Sequence, residues 1–118
     1  MAVKNITPVA IDLNAFPASA LTFEAATAAA DGFAIDVTGV ADNKLVLLFR
    51  NDHATAAKTI TIKKGDLLQG VKDSEAKSLA AAAIQVIRID SGRFKKADGK
   101  VIAIPESTDV KICAIALP

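Results

Sequence analysis

The chain has 118 residues, with 14 Lys and Arg against 13 Asp and Glu, for a net charge of +1. That length makes one domain, long enough to bury roughly 65% of the area its unfolded chain exposes. The charge balance excludes a strong field steering nucleic acid or a membrane surface, the single cysteine excludes an internal disulfide, and no run approaches the ~18 unbroken apolar residues of a membrane span.

The first segment, residues 1–22, is extended in character. Val9, Ile11 and Leu13 alternate with Ala10, Asp12 and Asn14. Pro8 and Pro17 forbid a continuous helix and disfavour a central strand. An N-terminal arm or edge strand follows, docked on a neighbour or packed on its own domain, with Val9, Ile11, Leu13 and Phe16 as its candidate partner-binding residues. Met1 to Asn5 lacks the long apolar core of a signal peptide.

A sandwich domain is expected over residues 23–118. Residues 23–32 are rich in alanine, which favours helix, but Asp31-Gly32 would end it after barely two turns. An extended segment leading into a turn is preferred. Phe33, Ile35 and Val37 then alternate with polar or small residues as a half-buried strand. Leu45 to Phe49 is apolar on both faces, which places it at the centre of a sheet covered on both sides. A polar connector, Arg50 to Thr55, leads to Thr59-Ile60-Thr61-Ile62. The two runs read as paired antiparallel strands. The pattern places Ile60 and Ile62 inward and Thr59, Thr61 and Lys63 outward.

Residues 66–71 read as a loop anchored by Leu67 and Leu68. Residues 73–83 admit either a short helix capped by Asp73 or Ser74, or a turn near 72–77 with an extended approach; the latter is preferred because Ile84 to Ile89 is a strong strand that begins without a break. Ser91-Gly92 is a tight turn, Arg93-Phe94-Lys95 a short strand, and Asp98-Gly99 a hairpin signal. Val101 to Ile104 is a strand stopped by Pro105, and Val110 to Leu117 is the last strand, apolar on both faces except at Lys111. Six to eight short strands without βαβ alternation make an all-β fold, a single antiparallel β-sandwich or jelly-roll-like domain with an extended arm.

No constellation for chemistry emerges. His53 is the only histidine and Cys113 the only cysteine, whereas a zinc site needs three or four such ligands. His53 reads as a solvated loop residue, with Asn51-Asp52 shaping the turn through their own side chains. Cys113, between Ile112 and Ala114, reads as buried and inert. Asp36, Asp42, Asp52, Asp66, Asp73, Asp90, Asp98 and Asp109 fall at strand ends one by one, unlike a calcium loop. Arg88, Arg93, Lys95, Lys96 and Lys100 form one basic cluster, but a single aromatic, Phe94, lies within it, against the several platforms a nucleic-acid face uses. Tyr and Trp are absent, which argues against a typical sugar site. No catalytic, cofactor-binding or metal residues are assigned, and an enzyme is not expected. Mean hydropathy is +0.37. Unless alanine alone inflates that index, the chain carries more apolar surface than one small core hides, to be covered by a partner or by homo-oligomerisation.

One resemblance enters here. Asp31-Gly32-Phe33, then residues 42–51 (DNKLVLLFRN), residues 59–66 (TITIKKGD), a leucine-glutamine-glycine loop, Ser91-Gly92-Arg93-Phe94-Lys95, Asp98-Gly99-Lys100-Val101 and a terminal Ile115-Ala116-Leu117-Pro118 follow one another in order. This order resembles small β-sandwich proteins from tailed-phage head gene clusters, the capsid decoration (cement) proteins, over residues 31–118. The resemblance implies a structural virion protein without enzymatic activity. Such a protein is made in the host cytoplasm and attached in many copies to the outer face of a major capsid protein lattice. It carries no individual contact residue over. A ligand- or receptor-binding module of adhesin type is the rival reading, and would show a polar pocket or a loop calcium site.

Overall fold

Ten strands and one helical turn account for the regular structure: β1 (Lys4–Ile6), β2 (Val9–Ala10), β3 (Glu24–Ala25), β4 (Phe33–Asp36), β5 (Leu45–Asn51), β6 (Lys58–Ile62), β7 (Lys77–Leu79), β8 (Ile84–Ile89), α1 (Ser91–Phe94), β9 (Lys100–Pro105) and β10 (Val110–Ala116). The structure, a computed structural model, describes residues 3–17, 20–66, 73–74 and 76–118. All element counts refer to these residues.

The strands form two five-stranded sheets. The first has the order β1-β4-β9-β6-β7; the second runs β2-β10-β5-β8, with β3 pairing alongside β2 on the same edge of β10. Phe33 and Ile35, Val101 and Ala103, and Ile60 and Ile62 from the first sheet meet Leu45, Leu47, Phe49 and Ile112 from the second in one buried cluster. The chain is an all-β sandwich. Its sheets are mixed, however, which corrects the expectation of a purely antiparallel one. β1 runs parallel to β4, and β2 parallel to β10. Parallel neighbours need a long connection, here residues 7–32 between β1 and β4 and residues 11–109 between β2 and β10.

The arm therefore packs on its own domain. β1 extends one sheet and β2 the other, with Ile6 buried in the shared core, so residues 3–10 close one lateral side of the sandwich.

A second correction concerns β5 and β6. They do not pair: β5 lies between β10 and β8, and β6 between β9 and β7 in the opposite sheet. Both strands bury alternate residues, so residues 52–57 form an arch that stacks them face to face across the core. Asn51 holds this arch. It is fully buried, its Nδ2 donates to the carbonyls of Ala56 and Leu79 at 3.0 Å, and its Oδ1 accepts from the His53 N–H at 2.9 Å. The crossing from β7 to β8 is tied to the same residue. Asn51 N–H donates to Ala83 O, and Asn51 O accepts from Ala82 N–H. Ala82 there adopts φ +61°, a left-handed conformation that costs a side-chain-bearing residue roughly 1–2 kcal/mol.

Smaller outcomes follow the sequence more closely. Residues 24–25 and 77–79 are extended, as preferred. At the turn before β4 the N–H groups of Asp31 and Gly32 both donate to Ala28 O. Gly32 has φ +66°, and a Cβ there would meet the Ala103 carbonyl and the Ile104 methyl, so only glycine fits. Ser91 to Phe94, expected as a turn and a strand, is one helical turn, with Lys95 bridging Val101. The Asp98-Gly99 turn forms, with Lys96 N–H donating to Lys100 O at 2.8 Å. Leu67 and Leu68, expected to anchor a loop over residues 66–71, lie outside the described residues.

Candidate interaction surface

The outward side chains of the second sheet come from alternate positions of its strands. On β5 these are Val46, Leu48 and Arg50; pairing sets Val46 between Ile115 and Arg88, Leu48 between Cys113 and Val86, and Arg50 between Lys111 and Ile84. Val9 pairs Ile115 at the far edge. The outcome is an apolar strip across the sheet: Val9, Ile115, Val46, Cys113, Leu48, Val86 and Ile84. Its inner members are half-buried or buried, but Ile84 and Val86 stand 54% and 63% exposed. The expectation that β5 is covered on both faces thus holds for one face only.

Charges frame this strip. Asp52 accepts from Arg50 Nε at 2.6 Å and pairs Lys111 Nζ at 2.8 Å, while the Arg50 guanidinium stacks on the Phe23 ring at 4.5 Å. The hydrogen bond from Arg50, reinforced by Lys111, holds the Asp52 carboxyl below the usual carboxylate range. At the other end Arg88 donates to Asn43 O at 2.9 Å. An apolar centre with a charged rim is the anatomy of a protein interface.

The four arm residues divide. Val9 and Ile11 are half-buried and bound to the domain, Val9 through β10 and Ile11 through its N–H to Ala116 O at 3.1 Å. Leu13 and Phe16 lie on a knuckle just beyond, turned by Asn14 at φ +60°, and are 81% and 99% exposed. On the opposite lateral side a cleft of about 420 Å³ opens between the sheets, lined by Phe49, Ile60, Ile62, Leu79 and Ile87 with Lys77 and Gln85 among its polar groups.

The residues singled out for chemistry have structural work. His53 is half-buried rather than solvated, and its Nδ1 accepts from the N–H groups of Thr55 and Ala56 at 3.1 and 2.9 Å. The aspartates stabilise turns and ion pairs: Asp36 accepts from Thr38 N–H, Asp90 from Gly92 N–H and Asp98 from Lys100 N–H, Asp66 from Ala97 N–H, and Asp109 from the Ser107 hydroxyl; Asp73 accepts from Lys63 Nζ and Lys64 N–H, and Asp42 pairs Lys95. Among the described residues no three His, Cys, Asp or Glu side chains come together as metal ligands. Phe94 is buried, and Lys95, Lys96 and Lys100 reach Asp42, Asp66 and Asn5, so the basic cluster presents no stacking platform. Cys113 is buried, and burial, with Glu24 nearby, pushes its thiol upward.

Sequence reasoning missed Ile84, Val86, Val46, Leu48 and Ile115 as surface residues. The signal was present in β5, β8 and β10, whose apolar residues occupy both alternations. It marks two apolar faces without saying that the second is covered. No helix among the described residues is long and apolar enough to cross a membrane. No protein-family model, curated protein or solved structure matches the chain.

Proposed function

We propose that this protein is a structural, non-catalytic binding module that coats a larger assembly, and that the assembly is a phage capsid. The observation that carries the reading is the apolar strip of the second sheet, with Ile84 and Val86 exposed at one end and charged residues around it. An apolar sheet face of this kind supports attachment to another protein surface. The strip is small, so a single contact is weak. Many copies on a symmetric shell convert weak contacts into firm attachment when copies are linked to each other. The capsid as target rests on the order of motifs over residues 31–118, which resembles decoration proteins. Attachment to the major capsid protein on the outer surface of the virion follows from that resemblance.

Mass spectrometry of purified particles and co-sedimentation with empty heads of the same virus test this. The protein is expected in the particle in many copies, and Ile84→Asp is expected to lower its occupancy at least about tenfold. A wild-type protein that fails to sediment with assembled heads overturns the reading. The inter-sheet cleft favours a second reading, a ligand- or receptor-binding module. Saturable binding of a glycan or small apolar ligand in the cleft, with no binding to heads, would establish it instead.

A further inference from the structure

The knuckle and the cleft are both apolar and carry opposite charges, and they lie on opposite lateral sides of the molecule. The knuckle follows β2, at one edge of the second sheet; the cleft opens beside β8, at the other edge. One chain therefore cannot satisfy both features by itself. From these placements we infer that the protein self-associates head to tail, the Leu13–Phe16 knuckle of one copy seating in the inter-sheet cleft of the next.

Phe16 is the anchor. An aromatic ring that is 99% exposed on a turned segment gains most from entering an apolar recess, and the cleft offers about 420 Å³ walled by Phe49, Ile60, Ile62, Leu79 and Ile87. Ile87, on the inward alternation of β8, is still 40% exposed because no further strand lies beyond it. Charge selects the partner. Asp12 precedes the knuckle and is exposed, Lys77 lines the cleft and is exposed, and neither has an ion-pair partner among the described residues. Seating the knuckle brings these opposite charges to the same rim.

The backbone of β8 supplies a further handle. Asn51 N–H donates to Ala83 O while Asn51 O accepts from Ala82 N–H, which fixes the register in which Phe49–Gln85, Leu47–Ile87 and Leu45–Ile89 are the hydrogen-bonded pairs of the antiparallel ladder. The N–H and C=O groups of Ile84, Val86 and Arg88 therefore face the free edge, beside the cleft. An extended segment seated there can bond to them as an added strand. A heterologous contact of this kind builds closed rings or open chains, never an isolated two-fold dimer. The inference does not depend on a capsid, and its test uses the purified protein alone.

Sedimentation velocity of the full chain across a concentration series tests it. Wild-type protein is expected to show concentration-dependent species larger than a dimer. Phe16→Asp, at a position with no packing role, is expected to weaken association at least about thirtyfold. Ile87→Asp, in the cleft, is expected to do the same, and an equimolar mixture of the two variants to form a dimer and nothing larger. Asp12→Lys and Lys77→Glu are expected to weaken association severalfold each, and the double variant to recover most of the loss, a pairing that does not depend on the Ile87 variant folding. Wild-type protein that stays monomeric at about 1 mM, or Phe16→Asp protein that associates like wild type, overturns the inference. Loss of association in Ile87→Asp alone, with no effect of Phe16→Asp, points instead to pairing of two β8 edges and equally overturns it.

Discussion

The two lateral sides of the sandwich are finished in different ways. On one side residues 3–10 contribute β1 to one sheet and β2 to the other, and Ile6 plugs the core between them. On the opposite side the short β7 and the exposed β8 leave the sheets parted, joined by a crossing that holds Ala82 at φ +61°. The closed side is built from contacts remote in sequence, and the open side is held by one buried polar residue, Asn51. A sandwich with one side closed and one open can still be stable. The open side carries exposed Ile84, Val86 and Ile87 with Ala82 at positive φ, and the segment beyond β2 carries exposed Leu13 and Phe16 with Asn14 at positive φ, so each side presents apolar groups for binding.

This contrast can be broken most severely at Asn51. Asn51→Ala strands the carbonyls of Ala56 and Leu79 and the His53 N–H without partners, and the unfolding free energy is expected to fall by roughly 4 kcal/mol. Chemical denaturation measures it; a loss below about 1 kcal/mol would mean water replaces the side chain and the arch does not depend on it. On the closed side, Ile6→Ala is expected to cost about 3 kcal/mol, because the residue is 3% exposed and leaves a cavity between the sheets. A near-neutral result would show that the arm contributes little to the core.

Ala82→Gly should sharpen the contrast from the other direction. Glycine accepts a positive φ without steric cost, so a gain of about 1 kcal/mol is expected in the same denaturation experiment. A loss of stability would show that Ala82 is not strained. Ile84→Ser, on the outer face of the open side, is expected to change stability by less than about 0.5 kcal/mol while reducing attachment to heads.

The smallest effect is the response to acid. The Thr38 N–H lowers the Asp36 carboxyl, the Arg50 hydrogen bond lowers Asp52, and the Lys63 hydrogen bond lowers Asp73. Each folded value lies below the unfolded one, so each contribution is complete above the unfolded value near ~3.9 and is lost as pH falls through the folded one. The melting temperature is expected to stay level from about pH 7 to about 5 and to decline below about pH 4, less steeply in Asp52→Asn. An equal decline in wild type and variant would remove Asp52 from the account.

Much of the interior was legible because alternation reports which side chains are buried. Phe33, Ile35, Val37, Ile60 and Ile62, the inward residues of alternating segments, are all core residues. Alternation does not report which strand lies alongside. β5 and β6 are two β-rich runs joined by a short polar connector, as in a hairpin, yet they belong to opposite sheets, because a buried asparagine turns the connector into an arch. The parallel pairings of the arm were hidden for a related reason: Val9 meets Ile115, and no local signal spans that separation. Of the candidate surface, the arm residues Leu13, between Asp12 and Asn14, and Phe16, before Pro17, stand out in the sequence as apolar residues in a polar, proline-bearing segment. The cleft does not, since its walls are residues that any sandwich would bury.

That pairing of Val9 with Ile115 also sets an order of events during synthesis. β10 lies between β5 on one side and β2 and β3 on the other, so the second sheet lacks its middle until residues 110–116 exist. No earlier fragment can bury Leu45, Leu47 and Phe49 in their final setting. The nascent chain must carry those side chains unprotected until translation has passed Ala116, a delay that favours chaperone contact and makes any truncation before β10 prone to aggregate.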